Sequence, residues 1–312
     1  MFTECKAVFF YCVSPVHMGA GSAVGVIDNP IQREKHSDHP VFAGSGLKGA
    51  LRHSFESLGG DPRLINRIFG PDTNASDHAG AISFGDAQLV AFPIRSLRGG
   101  FVYATCPYAL ARLKRLLTVI SKGKAPDWSV PAAPAAGTGC TVLNDGLLAN
   151  GSLHLEVFQF THDAAGKDAL TKIAAWLSTS GLPADDSYDY FRNKLKTDLV
   201  LLSDEDFKYF VQNATTVEPH VRIDPDTGTA DGGGLFYTEN LPPESLLVAP
   251  LMASDERTPK DKRNGQDLTA GDVLDKITNA LHCNGGLLQV GGDATTGRGL
   301  VVAHVLNGKE GN

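Results

Sequence analysis

Residues 17–53, HMGAGSAVGVIDNPIQREKHSDHPVFAGSGLKGALRH, hold the densest run of unusual backbone and charge in the chain. Three glycines (Gly19, Gly21, Gly25) precede a lone carboxylate, Asp28, a basic run (Arg33, Lys35, His36) follows, and the segment closes on GSGLKGALR. From Gly44 the period changes. Leu47, Ala50, Leu51, Ser54, Phe55 and Leu58 recur at the spacing of a buried helical stripe, Ser45 is placed to cap it, and the run Gly59 to Pro62 stops it. Lys48 and Arg52 then stand one turn apart on one side of the helix, where together they can hold one anion. Successive N–H groups of a glycine loop entering a helix make a concavity suited to phosphate. The blander reading is that Gly44 and Gly46 only shape a tight strand-to-helix turn. GSGLKGAL lacks the glycine spacing and the hydroxyl of a Walker loop, and no GxGxxG opens a helix, so a nucleotide-hydrolysing motor is disfavoured.

Working outward, residues 4–14 are rich in Phe, Val and Tyr and read as a central strand, with His17 just beyond its end. Arg63 to Gly70 extend a second short helix, and 71–79 (PDTNASDHA) reads as solvent loop. Residues 81–92 follow as a strand with a bulge near Gly85, FVYAT as another, and a helix runs from Pro107 through Ile120. Residues 122–141, rich in Pro and Ala, are the linker candidate. Residues 151–160 alternate as one half-exposed strand, and helices follow near 165–178, 186–196 and 203–213, the last with Ser203 and Asp206 as a capping signature. VRI and LFY are the arms of a protruding hairpin over 217–238 whose DPDTGTADGGG turn is too polar for a core. A strand (LLVAPLM), a helix capped by Thr269 and Asp272, and GLLQVGGDATTGRGLVVAHVL as strand, glycine turn and strand complete the chain. That last turn meets the 44–52 segment if the terminal strands pair.

A chain of 312 residues, 42% hydrophobic and 20% charged, is long enough for a substantial core and is not disordered. Five cysteines form no CxxC or close pair, so neither a zinc knuckle nor a disulfide framework is indicated. The opening MFTECKAVFFYCV has an acidic flank and a short apolar run, which reads as a strand and not a signal peptide; no stretch approaches membrane-spanning length, and a cytoplasmic protein is expected. A net charge of −7 argues against indiscriminate binding to nucleic acid, but the charge is uneven. Residues 1–130 carry 14 Lys and Arg against 10 Asp and Glu, residues 131–312 carry 14 against 25, and the basic half holds the motifs.

GAGSAVGVIDNPIQREKH, PVFAGSGLKGALR and GGDATTGRG, in that order, resemble the RAMP superfamily of CRISPR-associated proteins, and more narrowly the repeated backbone subunit of the type III-B RNA-targeting effector. The resemblance implies an α+β, ferredoxin-like (RRM-like) core with large helical insertions, a single domain over 1–312, and a thumb formed by the hairpin at 217–238. It implies a subunit that polymerises head to tail along guide RNA and cuts complementary target RNA at regular intervals by attack of the ribose 2′-hydroxyl. The family's cleavage aspartate falls on Asp28, which would hold Mg²⁺ or Mn²⁺, with His17 for proton transfer and Glu239 as a third active-site candidate. Implied RNA contacts are Gly19, Gly21, Arg33, Lys35, Ser45, Lys48, Arg52, His220, Arg222, Thr295, Thr296 and Arg298. Expected partners are guide RNA, target RNA, copies of itself and other effector subunits, with no membrane. Two other functions stay open: the same RNA scaffold without nuclease activity, and a protein-assembly subunit whose glycine loops serve only tight packing.

Overall fold

Alternation along the first strand sets the architecture. In the computed structural model, which describes residues 1–306 apart from 24, 73–75, 264 and 284, β1 (Glu4–Cys12) sends Val8, Phe10 and Cys12 into one core and Ala7, Phe9 and Tyr11 into another. Successive strand residues point to opposite faces, so such a strand belongs inside a sheet covered on both sides. β2 (Val41–Phe42) leads into α1 (Gly44–Ser57) and α2 (Pro62–Phe69), and β3 (Ile82–Phe84), β4 (Ala87–Arg95) and β5 (Phe101–Thr105) precede α3 (Pro107–Ile120). The middle runs β6 (Gly139–Val142), β7 (Ser152–Leu155), β8 (Phe158–His162), α4 (Lys167–Ser180), α5 (Asp189–Thr197), β9 (Leu199–Leu201) and α6 (Asp204–Asn213). The hairpin β10 (Thr216–Ile223) and β11 (Ala230–Asn240) comes next, then β12 (Leu246–Ala253), α7 (Ala270–Cys283), β13 (Leu287–Gln289) and β14 (Leu300–Val305).

Among the described residues, twelve strands form one sheet in the order β13-β14-β1-β12-β4-β5-β9-β6-β8-β7, with β2 also on β4 and β3 on β12. β1 pairs antiparallel with β12 and β14, so the two ends of the chain lie side by side as expected. α1, α2, α6 and α7 bury their apolar faces on one side of the sheet, and α3, α4 and α5 on the other. The result is the expected α+β core with helical insertions.

Local chemistry explains most boundaries, and corrects several. α2 starts on Pro62 with the Asp61 carboxylate accepting from Arg63 N–H (3.0 Å), and α6 starts after Ser203, whose Oγ accepts from Asp206 N–H (3.0 Å). α1 is different. Ser45 lies inside the helix, its N-cap is Ala43, and the Gly44 N–H donates to Asp86 Oδ1 from the β3–β4 turn (2.8 Å). Gly44 must be glycine there, because a Cβ would stand 2.3 Å from the Phe84 carbonyl oxygen. The single strand expected over 151–160 is two strands, β7 and β8, reversed at Glu156, whose φ is +51°. The linker candidate is no linker: Trp128 is 5% exposed, packs 6.1 Å from Trp176 and accepts Lys114 Nζ at its carbonyl oxygen, so this segment covers a core. Of the 71–79 loop, residues 73–75 lie outside the described residues; Asp72 pairs with Arg52 and Asp77 with Lys262.

Candidate active site on the edge of strand β11

The glycine-rich segment folds back on itself as an irregular ladder. Gln32 N–H donates to Met18 O (2.8 Å), Gly19 bridges Ile31, Ala20 N–H donates to Pro30 O (2.9 Å), and Ala23 N–H donates to Asp28 O (2.9 Å). Its returning arm then adds to the hairpin root. Asn29 N–H donates to Tyr237 O and Glu239 N–H to Asn29 O, both at 3.0 Å, in a parallel bridge. One step earlier the Asp28 side chain takes the next backbone donor, with Oδ2 accepting from Tyr237 N–H at 2.7 Å. The incoming arm meets the same edge: His17 Nδ1 lies 2.7 Å from Glu239 O, and Val16 pairs with Leu241 in both directions at 2.9 Å. One edge of β11 thus carries Asp28, Asn29, His17 and Val16, while β10 holds the other edge. The anchor points of Asp28 and His17, Tyr237 N–H and Glu239 O, lie at the two ends of a three-residue stretch of strand and are separated by about 9 Å.

The contact to Glu239 O settles the tautomer of His17 when it is neutral. A carbonyl oxygen only accepts, so Nδ1 carries the hydrogen and Nε2 keeps its lone pair. That Nε2 faces the glycine loop, 2.8 Å from where a Cβ on Gly19 would stand. The late glycine loop supports the same histidine from behind. Gly292 N–H donates to His17 O (2.9 Å), Gly299 N–H donates to Pro15 O (2.8 Å), and at Gly291, whose φ is +80°, a Cβ would stand only 2.3 Å from His17 O. This loop therefore seats on residues 15–17, and Met18, the next residue, lies against Gly46 of α1.

Glu239 has another geometry. It is 3% exposed, and its carboxylate accepts from Ile31 N–H (3.0 Å), Arg33 Nη2 (2.5 Å) and Thr215 Oγ1 (2.8 Å). Arg33 also donates to the carbonyl oxygens of Asp38 and Val211, each at 2.8 Å. These two residues lie under Asp28 and His17 as part of the frame, and the guanidinium of Arg33 faces protein where the sequence suggested RNA.

The remaining RNA-contact candidates divide into three places. Lys48 is half-buried and takes no hydrogen bond to an acceptor among the described residues; burial, then the neighbouring charges of Arg52 and Arg257, push its ammonium below the usual lysine range. Ser45 is exposed one turn earlier, whereas Arg52 is committed to Glu56, Asp72, Asn66 and the Gly70 carbonyl. Arg298 is on the hairpin side: it contacts both carboxylate oxygens of Glu218 (2.7 and 2.6 Å), tying the late loop to β10, with Thr295 and Thr296 exposed beside it. On the hairpin itself His220 stacks on Phe236 (5.0 Å, 14°), Arg222 is exposed, and Val217, Val221, Ile223, Leu235, Phe236 and Tyr237 are 36–56% exposed. By register Val217, Val221, Leu235 and Tyr237 share one face of the arm while Phe236 lies with His220 on the other, and this many exposed apolar side chains on a two-stranded arm mark an interaction surface. Gly19 is half-buried, and Gly21 (φ +91°) and Lys35 are exposed in the loops nearby.

Sequence reasoning did not find the Tyr237 N–H, the Val211 carbonyl or Thr215. The first two are backbone groups with no residue signature, and a single threonine after a helix carries none either. Among the described residues no three His, Cys, Asp or Glu side chains come together as a metal cluster. Magnesium is nevertheless commonly held through one or two carboxylates plus substrate phosphate, and Asp28, fixed by the Tyr237 N–H, fits that demand as a single ligand.

The RAMP superfamily profile matches residues 9–302. The Cmr endoribonuclease Cmr4 of Pyrococcus furiosus is 33% identical over 296 residues, which is 94% of this chain and 93% of that protein. The CMR subunit Cmr4 of Saccharolobus solfataricus is 25% identical over 320 residues, 98% of each chain. The crystal structure of oligomeric Cmr4 from Pyrococcus furiosus superposes with a TM-score of 0.71 at 25% identity, covering 97% of this chain and 98% of that one. Among the described residues no helix is long and apolar enough to cross a membrane.

Proposed function

The chain belongs to the RAMP superfamily, among the Cmr4-type backbone subunits of type III CRISPR effector complexes, and from that premise we propose that it binds guide RNA, stacks head to tail with copies of itself and with other type III-B subunits, and cuts complementary target RNA at regular intervals. The observation that carries the cutting is the shared edge of β11, where Asp28 and His17 stand together at the root of an exposed apolar hairpin. The naming of a 33% identical relative as an endoribonuclease supports it.

The chemistry follows from these groups. His17 Nε2, free of hydrogen, takes the proton of a ribose 2′-hydroxyl; the oxygen attacks the adjacent phosphorus in line as the bond to the 5′-oxygen breaks, and the leaving 5′-oxygen takes a proton from water. The products are a 2′,3′-cyclic phosphate and a 5′-hydroxyl. Asp28 positions the phosphodiester, and Mg²⁺ or Mn²⁺ held by its carboxylate would offset charge on the non-bridging oxygens. Lys48, in the field of Arg52 and Arg257, takes a guide phosphate. The hairpin at 217–238 acts as a thumb on the single domain formed by 1–312, inserting its apolar face between base pairs so that a cut site recurs with each copy. A reaction on RNA transcripts suits a cytoplasmic protein.

A guide-loaded assembly incubated with end-labelled complementary RNA and Mg²⁺ or Mn²⁺ tests this. Evenly spaced products are expected, absent with chelator and with non-complementary RNA. One observation favours a second reading: the bond from Tyr237 N–H to Asp28 is also what a purely structural aspartate would make. Target retained uncut in the presence of metal would establish that scaffold reading, and an assembly that carries no RNA would leave only protein packing.

A further inference from the structure

We propose that Arg33 is a positioning residue: acting through Glu239, it locks the Asp28 arm onto β11 and so sets the cutting rate without touching RNA. The inference rests on the cutting function proposed above and extends it to a group outside the reacting atoms.

Residues 28–33 meet β11 at Asn29, run on to bridge Gly19 and Pro40, and are fastened to β11 residues at both ends. At the first end are the bonds of Asp28 and Asn29 to Tyr237 and Glu239. At the far end the Glu239 carboxylate reaches out of β11 to grip Ile31 N–H and Arg33. Arg33 in turn spreads its donors over three further elements: Asp38 O in the following turn, Val211 O in α6, and Glu239 Oε1 on β11. Thr215, between α6 and β10, closes the ring by donating to the same Oε1. A planar guanidinium in a fixed fork suits this task, and lysine does not replace it because one ammonium cannot meet three divergent acceptors in plane. Both partners are largely withdrawn from water, with side chains 18% and 4% exposed. Removing one leaves the other charged and unpaired, so the site responds as a unit.

The consequence for catalysis is geometric. Among the described residues the Asp28 carboxylate is held by a single backbone N–H, and that bond persists only while its arm keeps register with β11. Misplacement of a reacting constellation by about 1 Å costs about 100-fold in rate, whereas phosphate binding by Lys48, on α1, does not pass through this clamp.

The test compares wild type, R33Q, R33K and the Asp28→Ala control in guide-loaded assemblies, reading target cutting at saturating and limiting RNA together with hydrogen exchange of residues 28–33 and 237–239. R33Q is expected to lower kcat about 10- to 100-fold at unchanged KM and guide retention, with faster exchange confined to those two stretches. R33K, which keeps the charge and loses the fork, is expected to fall between R33Q and wild type; should R33Q fail to fold, R33K alone carries the same reading. Wild-type kcat in R33K or R33Q, or a loss confined to KM, overturns the proposal. So does unchanged exchange at 28–33. If instead wild type cuts no better than Asp28→Ala, it is the cutting function that fails, and the exchange data still report whether Arg33 holds the arm.

Discussion

His39 is buried between Tyr108 and Phe207, with ring centroids 5.6 and 5.1 Å away, and burial holds its imidazole down at about 4. An unfolded histidine titrates near 6.5. As pH falls from about 6.5 to about 4 the unfolded chain gains a proton that the folded one refuses, so stability drops through that window by up to about 3 kcal/mol. Glu244 acts in the opposite sense. It occupies a left-handed conformation (φ +69°) on the way into β12, its Oε2 is buried without a hydrogen-bond partner among the described residues, and burial pushes its carboxyl up to about 7. Its stabilising share is present below the unfolded value near 4.3 and is lost as pH rises through 7, again by up to about 3 kcal/mol. Chemical denaturation followed between pH 4 and 8 separates the two: H39F should remove the acid-side loss, and E244Q should stabilise the protein above pH 7. Stability curves parallel to wild type in both variants would contradict these assignments. At the site, H17A should slow cutting by about 100-fold or more while guide RNA stays bound, since the proton acceptor is lost and the β11 edge is not; an unchanged single-turnover rate would make His17 structural.

The hairpin is the element whose two ends do different work. Its root, Thr238 to Asn240, is buried and carries the site, while the turn between β10 and β11 meets solvent. Removing Pro225 to Gly233 should therefore leave the core folded, by circular dichroism, but destroy the even spacing of the cuts at matched RNA occupancy. An unchanged ladder would return the hairpin to a surface turn. Elements built on local periodicity, such as α3, α6 and the hairpin arms, were legible in sequence because their determinants lie within a few residues. The start of α1 was not: its cap, Asp86, lies 42 residues on, and the D86A variant should lose about 1 kcal/mol that S45A does not. The same limit hid the clamp under the site. Asp28 and His17 stood out in sequence as candidates beside a glycine loop, but the pair Arg33 and Glu239 spans 206 positions, and nothing short of the folded sheet shows that one consumes the other.

Across the whole molecule, the basic surplus of the first 130 residues is smaller in space than in sequence. Arg33, Arg52, Arg67, Arg95 and Arg112 all pair with carboxylates, leaving Lys48 as the cation of the α1 motif without one among the described residues. Guide affinity should accordingly fall about equally for different guide sequences in K48Q, with the salt dependence reduced by about one phosphate contact, and change less in R52Q. Equal losses in both variants would show that Arg52 leaves its protein partners to bind RNA. The sheet explains how so few groups suffice: β1 pairs with β12 and β14, the segment leaving β1 reaches β11 through Val16 and His17, and the loop before β14 seats on the same residues. Cutting at this edge of β11 is proposed to run through Asp28. It is tested most directly by incubating guide-loaded wild-type and Asp28→Ala assemblies with end-labelled complementary RNA under single-turnover conditions, measuring retained target and product length in the same samples. Equal retention of guide and target is expected, with an evenly spaced ladder ending in 2′,3′-cyclic phosphate from wild type and none from Asp28→Ala. The same ladder at the same rate from Asp28→Ala would contradict it.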